Sequence, residues 1–470
     1  MNDEIHFSSI SAVSELLKNR DISPVELTEH MLRRIEKLDI KLKSYVTVCG
    51  DQAMDSAKEA EKQILAGKDF GLLHGIPLAV KDLCYMAGIR TMGGLKVKRN
   101  FIPSFDSSVV VKLRRAGAIL LGKAALTEGA LSAYNPDFEI PVNPWGEKLW
   151  AGVSSSGSGV ATAAGLCFGA LATDTGGSIR YPSMASGVVG LKPTYGRVSR
   201  YGVMELAGSL DHVGPIARNV KDAAIIFEAI AGKDILDVTT THERVSSIVN
   251  GLPADISNLS IGVDRQFIAA GTDVGLVEAI NGAIDTYAGL GARIVNIEMP
   301  KSDPKKLRDL WLPIVGFEAV RAHADNFPAR ADDYGDYFRS VLDLGLSMDV
   351  SDYQLATKAK NEFTADFEAA LDKVDAVICP AGGFVFEADR DAQYGNREAM
   401  KDIIKHFQGQ FTIPANLAGT PAIVVPCGFS DNKRPYALQL LGSKFAEEKL
   451  CRLGHAYEQQ FSWSSMHPKL

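Results

Sequence analysis

No stretch of this chain is long and apolar enough to cross a bilayer as a helix, and cysteine, histidine and low-complexity sequence are all in short supply. The six cysteines (Cys49, Cys84, Cys167, Cys379, Cys427 and Cys451) are scattered without a C-x-x-C pair. That argues against a disulfide framework and reads as reduced thiols in a cytoplasmic protein. The nine histidines include no H-E-x-x-H pair and no close His/Cys group, so neither a metal nor another cofactor is expected. The opening Met1-Asn2-Asp3-Glu4 lacks the basic start of a secretory signal. Basic excess is missing too: 57 acidic side chains against 50 basic ones leave a net charge of −7, which argues against nucleic acid or an anionic membrane surface as the partner. What is present, 46% hydrophobic and 23% charged residues over 470 positions, is the composition of a globular protein with a large core.

Ser23-Pro24-Val25-Glu26 combines a capping box with proline at the first helical position. Leu27, Met31, Ile35 and Leu38 follow at helical spacing and predict one buried face. Gly75-Ile76-Pro77-Leu78-Ala79-Val80 then reads as a short buried strand that delivers Lys81 at its C-terminal end. A helix over 106–115 stopped by Gly117 and a strand at 118–121 repeat the strand-and-helix alternation. Ile261-Gly262-Val263 precedes a helix carrying Val277, Ile280, Ile284 and Tyr287, then Gly291 and a strand over 294–297. Further buried strands are predicted at 376–379 and 422–425. The alternation predicts an α/β fold: one large domain with a mixed, mostly parallel central β-sheet covered by helices on both faces. The segments 234–255 and 300–306 are the most loop-like, and neither is long or biased enough to mark a domain boundary.

Two Gly/Ser-rich turns stand out, Gly152-Val153-Ser154-Ser155-Ser156-Gly157-Ser158 and Thr173-Asp174-Thr175-Gly176-Gly177-Ser178-Ile179-Arg180. The small residues between them, over 158–172, predict a central buried helix that brings Ser154 and Ser178 together. A serine nucleophile needs a base for its proton and backbone N–H donors for the oxyanion, and Lys81 with the glycine turns would meet both needs. On composition alone the stretch reads equally well as a buried connector, and Lys81 as a surface lysine paired with Asp82. A phosphate cradle is disfavoured because neither GxxxxGK[ST] nor a full GxGxxG pattern is present. No GxSxG elbow occurs, and the single SxxK match, Ser302 to Lys305, falls in a polar Pro-containing loop. Asp211-His212, His74 and Cys84 read as structural.

The same block resembles the amidase signature family. It carries the serine turn from Gly152 to Ser158, then Ala172-Thr173-Asp174-Thr175-Gly176-Gly177-Ser178-Ile179-Arg180-Tyr181-Pro182, then Gly190-Leu191-Lys192-Pro193-Thr194-Tyr195-Gly196-Arg197-Val198-Ser199. Gly75-Ile76-Pro77 with Lys81-Asp82, Asn143-Pro144-Trp145, Asp211-His212-Val213-Gly214-Pro215 and Pro414-Ala415-Asn416-Leu417-Ala418-Gly419 match outside it. Val153, Ser156 and Ala172 stand where the family places glycine. The resemblance implies one amidase domain over 1–470, with an N-terminal helical segment over about 1–65, a signature core over about 71–220 and a variable substrate-side region over about 234–410.

By position it implies Ser178 as the acylating nucleophile, Ser154 as the bridging serine and Lys81 as the base. The backbone N–H groups of Thr175, Gly176, Gly177 and Ser178 are expected to form the oxyanion hole, with Ser155, Asp174 and Arg180 in support and a cis peptide between Val153 and Ser154. A lysine with a reference pKa of about 10.4 serves as a base near neutrality only if burial lowers it to about 7–8, a shift worth about 4 kcal/mol. The implied reaction is hydrolysis of a C–N acyl bond in a small-molecule amide, anilide, carbamate or urea-like substrate through an acyl-serine intermediate, and the implied assembly is a homodimer. Two alternatives stand beside it: the glutamine-hydrolysing component of a glutamyl-tRNA amidotransferase, and a noncatalytic binding protein on the same fold. Pocket walls are expected from residues 311–353, from 125–134 and from the region after Cys379.

Overall fold

Ser23 caps the helix Pro24–Leu42 as its sequence requires: its hydroxyl accepts from the Glu26 N–H and the Glu26 carboxylate accepts from the Ser23 N–H. Leu27, Met31 and Ile35 form the buried face of that helix. The computed structural model describes residues 4–252, 255–301 and 303–470. Ser302, and with it the SxxK match, lies outside the described residues, as do residues 1–3 and two positions of the 234–255 segment.

The architecture is α/β, built on one eleven-stranded mixed sheet flanked by helices. In chain order the strands are β1 (Tyr45–Val48), β2 (Pro77–Lys81), β3 (Ile119–Ala124), β4 (Gly169–Asp174), β5 (Val189–Lys192) and β6 (His212–Ala217). The second half supplies β7 (Ser260–Val263), β8 (Arg293–Asn296), β9 (Ala376–Pro380), β10 (Ala422–Phe429) and β11 (Pro435–Leu441). Their spatial order is β1-β3-β2-β4-β6-β5-β10-β11-β9-β7-β8. Parallel pairing joins β3-β2-β4 on one side and β9-β7-β8 on the other. The six remaining pairings are antiparallel, so the sheet is mixed but not mostly parallel. β10 and β11 are a hairpin closed by a turn at 430–434, and β4, β6, β5 and β10 pair in antiparallel order through the middle of the sheet.

A second correction concerns residues 158–172. The helix ends at Ala163, Gly165 takes a left-handed φ of 66°, and the chain enters β4 as a fully buried strand. Buried on both faces between β2 and β6, β4 shows no period-2 alternation, and its small residues are indistinguishable in sequence from a buried helix. Among the described residues no helix is long and apolar enough to cross a membrane.

Candidate active site

β2 and β4 lie side by side and parallel, with Ala79 opposite Ala170 and Val80 opposite Leu171, so their C-terminal ends emerge together. Lys81 ends β2 and is fully buried. Its Nζ donates to Ser154 Oγ at 2.8 Å, Ser155 Oγ at 2.7 Å and Thr173 Oγ1 at 2.7 Å. Asp82 is not its counter-ion, because that carboxylate pairs with the buried Lys123 at 3.0 Å. Burial pulls the Lys81 amine down to about 7, against the opposing influence of Cys84, Asp174 and Asp211. An amine with that affinity exchanges a proton readily at neutral pH.

The three hydroxyls around Lys81 are not equivalent. Ser155 donates its own proton to the Thr173 carbonyl at 3.1 Å, so its oxygen is committed to receiving from Lys81. Ser154 Oγ has no second hydrogen-bond partner among the described residues, which leaves its proton available to the lone pair of a neutral amine. No motif assigns a role to Thr173. A buried ammonium has three N–H donors to satisfy, and the two serines account for two; that count is the signal for a third acceptor.

The serine turn is held closely. The Val153–Ser154 peptide is cis. Gly152 has a φ of 79°, and a Cβ there would stand 2.4 Å from Pro182 Cα. Ser156 accepts from the Tyr134 hydroxyl at 2.7 Å, and Val153 packs with Trp150, Tyr181 and Phe407. The second turn approaches through a bond from the Ser155 N–H to the Ser178 carbonyl at 3.4 Å.

That second turn is organised by Asp174 at the end of β4. Its carboxylate accepts from the N–H groups of Gly177 (2.8 Å) and Ile179 (3.0 Å), from Arg180 Nε (3.0 Å) and Nη2 (2.9 Å), and from Asn416 Nδ2 (2.9 Å). Burial alone would push the Asp174 carboxyl up, but the Arg180 guanidinium, Lys192 and Asn416 outweigh it and hold the group well below the usual range. Arg180 is fully buried and also reaches Gln439 Oε1 at 3.1 Å and Asn416 Oδ1 at 2.6 Å, so it braces the turn from behind. Asp211, pushed up to about 6 by burial, accepts from Thr175 Oγ1 at 2.6 Å and secures the other end. Burial keeps the His212 imidazole neutral, with Nδ1 2.7 Å from the Leu210 carbonyl. Neither Asn416 nor Thr412 is assigned a role by the sequence motifs, and the structure gives both one.

The Gly177 N–H, expected among the oxyanion donors, is engaged within the turn itself. Trp311 Nε1 donates to the Thr175 carbonyl at 2.8 Å, and Thr412 Oγ1 donates to the Gly176 carbonyl at 2.8 Å. In a trans peptide the N–H points opposite to the C=O, so the Gly177 N–H faces away from Thr412, onto Asp174. Gly177 therefore serves the turn, and Thr175, Gly176 and Ser178 keep N–H groups not engaged by Asp174. Ser178 lines a cavity of about 520 Å³, but its hydroxyl makes no hydrogen bond to Ser154 or to any other described side chain. The cavity walls include Leu131, Trp311, Tyr337 and Phe407, from the three expected segments, together with Asp303, Pro304, Lys305 and Arg308 from in and beside the stretch expected to be loop. Among the described residues no group of three His, Cys, Asp or Glu side chains is placed to hold a metal ion.

A large mixed sheet with a buried lysine and serines gathered at the ends of neighbouring strands is the construction of an α/β enzyme. The chain belongs to the amidase signature family: the Amidase family model matches residues 26–451. It is 39% identical over 476 residues to a Mycobacterium tuberculosis protein named "Putative amidase AmiD", covering 99% of this chain and 97% of that one. It is 38% identical over 485 residues to the A component of the glutamyl-tRNA(Gln) amidotransferase of Geobacter metallireducens, covering 98% of both. The solved peptide amidase of Stenotrophomonas maltophilia superposes with a TM-score of 0.81 at 28% identity over 96% of each chain. The chain is accordingly an amidase acting on carbon–nitrogen bonds other than peptide bonds.

Proposed function

We propose that this enzyme hydrolyses the C–N acyl bond of a small-molecule amide, anilide, carbamate or urea-like substrate through an acyl-serine intermediate on Ser178. The observation that carries the reading is the buried Lys81 amine, drawn down to about 7 and in contact with Ser154. In the reaction, the Ser178 proton passes to Ser154 as the Ser154 proton passes to neutral Lys81. Ser178 Oγ bonds to the substrate carbonyl carbon, and the oxyanion is met by backbone N–H groups of the 175–178 turn. The C–N bond breaks as Lys81, through Ser154, returns a proton to the departing amine. Water then attacks the acyl-serine along the same relay in reverse, freeing the acid and restoring Ser178. Closing the relay requires the Ser178 hydroxyl to turn toward Ser154 when substrate enters, a side-chain rotation of the ordinary kind.

Ser178→Ala is the direct test. It deletes the nucleophile with little change in volume, so turnover of an amide and carbamate panel, followed by product mass, should vanish together with labelling by a fluorophosphonate. More than about a tenth of the wild-type kcat remaining would point to another nucleophile. The 38% identity to an amidotransferase component supports a second reading, in which glutamine is the substrate and the enzyme works within a complex. Ammonia release from glutamine and co-purification with partner proteins would favour that reading over the first.

A further inference from the structure

Among the described side chains, four cations line the cavity that holds Ser178: Lys305, Arg308, Lys401 and Lys405. Three are already neutralised one helical turn or less away, Lys305 by Asp309 at 2.6 Å, Lys401 by Glu398 at 2.5 Å and Lys405 by Asp402 at 3.0 Å. Arg308 is different. Half-buried in the helix Pro304–Ala322, it makes no hydrogen bond or ion pair to any described residue. Asp303, the one carboxylate in the lining, caps the same helix by accepting from the Lys306 N–H at 2.8 Å. Arg308 stands three and four residues before Trp311 and Leu312, so all three share the helix face that fronts the cavity. Trp311 is in turn bonded to the turn that carries Ser178. Arg308 is thus the one cation of the described lining that no carboxylate holds, and the interior beside it, at Leu131, Val153 and Phe407, is apolar.

We infer that Arg308 is the recognition site for an anionic group on the substrate, so that the preferred substrates are amides with an apolar body and a carboxylate at the end remote from the scissile bond. The inference rests on the amidase reading above. A guanidinium presents a planar fork of N–H donors that matches a carboxylate in two parallel hydrogen bonds, and a site with an apolar floor strengthens such a pair by excluding water. Three neighbouring ion pairs occupy the lysines of the rim and Asp303 is committed to capping its helix, which leaves the Arg308 guanidinium as the cation free to meet one anionic group.

The test uses matched substrates that differ only in charge. One pair is the p-nitroanilides of pentanoic acid and of glutaric acid, with a free carboxylate at the far end of the acyl chain. The other is acetanilide and its 4-carboxy derivative, which places the carboxylate on the amine side. In at least one pair the anionic member should have the higher kcat/KM, by about tenfold or more, as a charge-assisted hydrogen bond implies. That ratio should collapse toward one in both Arg308→Ala and Arg308→Gln, be partly kept in Arg308→Lys, and shrink as salt is raised from low to high concentration. Equal or better hydrolysis of the neutral member in both pairs would overturn the inference, as would a preference that survives both neutral variants. Failure of the underlying reading looks different: no member of either pair is hydrolysed and Ser178 is not labelled by a fluorophosphonate.

Discussion

Acidification should switch this enzyme off near neutrality, and the reason lies in one side chain. Lys81 serves as a base only when neutral, and burial draws its pKa from 10.5 to about 7. The sign follows directly: the protonated fraction grows as pH falls, so kcat/KM rises with pH through about 7 and levels above about 8. At pH 6 only about a tenth of the amine is neutral, so activity there should be about a fifth of its value at pH 7, falling tenfold for each further unit. An unburied lysine would place the same limb near pH 10. Drawing the amine down this far disfavours the ammonium by about 5 kcal/mol net. Cys84, Asp174 and Asp211 act the other way by favouring the charge. Asp211→Asn removes one of these negative influences and should move the limb to lower pH. The assay is kcat/KM for an uncharged amide from pH 5 to 10, with the rate of fluorophosphonate inactivation as a second reporter and circular dichroism to confirm the fold. A limb at pH 9 or above, or a flat profile from pH 5 to 9, would refute the reasoning.

Thr173→Val removes one acceptor of the Lys81 ammonium at nearly constant shape, so the charged form loses support and the pH limb should move down, visible in the same profile. An unmoved limb would mean that Thr173 contributes nothing to the amine's affinity for protons. Asp174→Asn leaves the Arg180 guanidinium buried without its carboxylate and weakens the bonds from Gly177 and Ile179; a loss of about 3–5 kcal/mol is expected, read as a fall of the thermal midpoint of several degrees, and an unchanged midpoint would count against it. EDTA should leave kcat/KM untouched, since the oxyanion is assigned to backbone donors and no ligand cluster occurs among the described residues; loss of activity that zinc or manganese restores would overturn that assignment.

The strand β2 was legible from its short apolar run, but that run left Lys81 open to a surface pairing with Asp82, and it is the structure that buries the amine. The two serine turns were singled out by composition and resemblance, and the structure gathers Ser154 and Ser155 on the Lys81 amine while Ser178 faces the cavity. Other features were hidden for identifiable reasons. β4 is so central and so rich in small residues that its pattern carries no period, and the helix expected over 158–172 stops halfway, before Gly165. The antiparallel middle of the sheet depends on which strands meet in space, which hydrophobic runs do not encode. Thr173 and the direction of the Gly177 N–H are matters of donor and acceptor inventory, the latter set by Asp174 and by Thr412, which lies 236 residues along the chain from the Gly176 carbonyl it holds.

The lysine–hydroxyl cluster and much of the cavity wall have separate addresses along this chain. Lys81 and Thr173 sit on two paired strands, where a one-residue insertion would reverse the face of everything that follows and expel the amine from its hydroxyls. The helix Pro304–Ala322 and the stretch through 401–413 bring most of the cavity's outer wall, and neither lies in the central strands. Length and residue changes there can reshape the mouth without disturbing strand register. An engineer wishing to give this enzyme a new diet would leave the strand pair alone and vary those two segments.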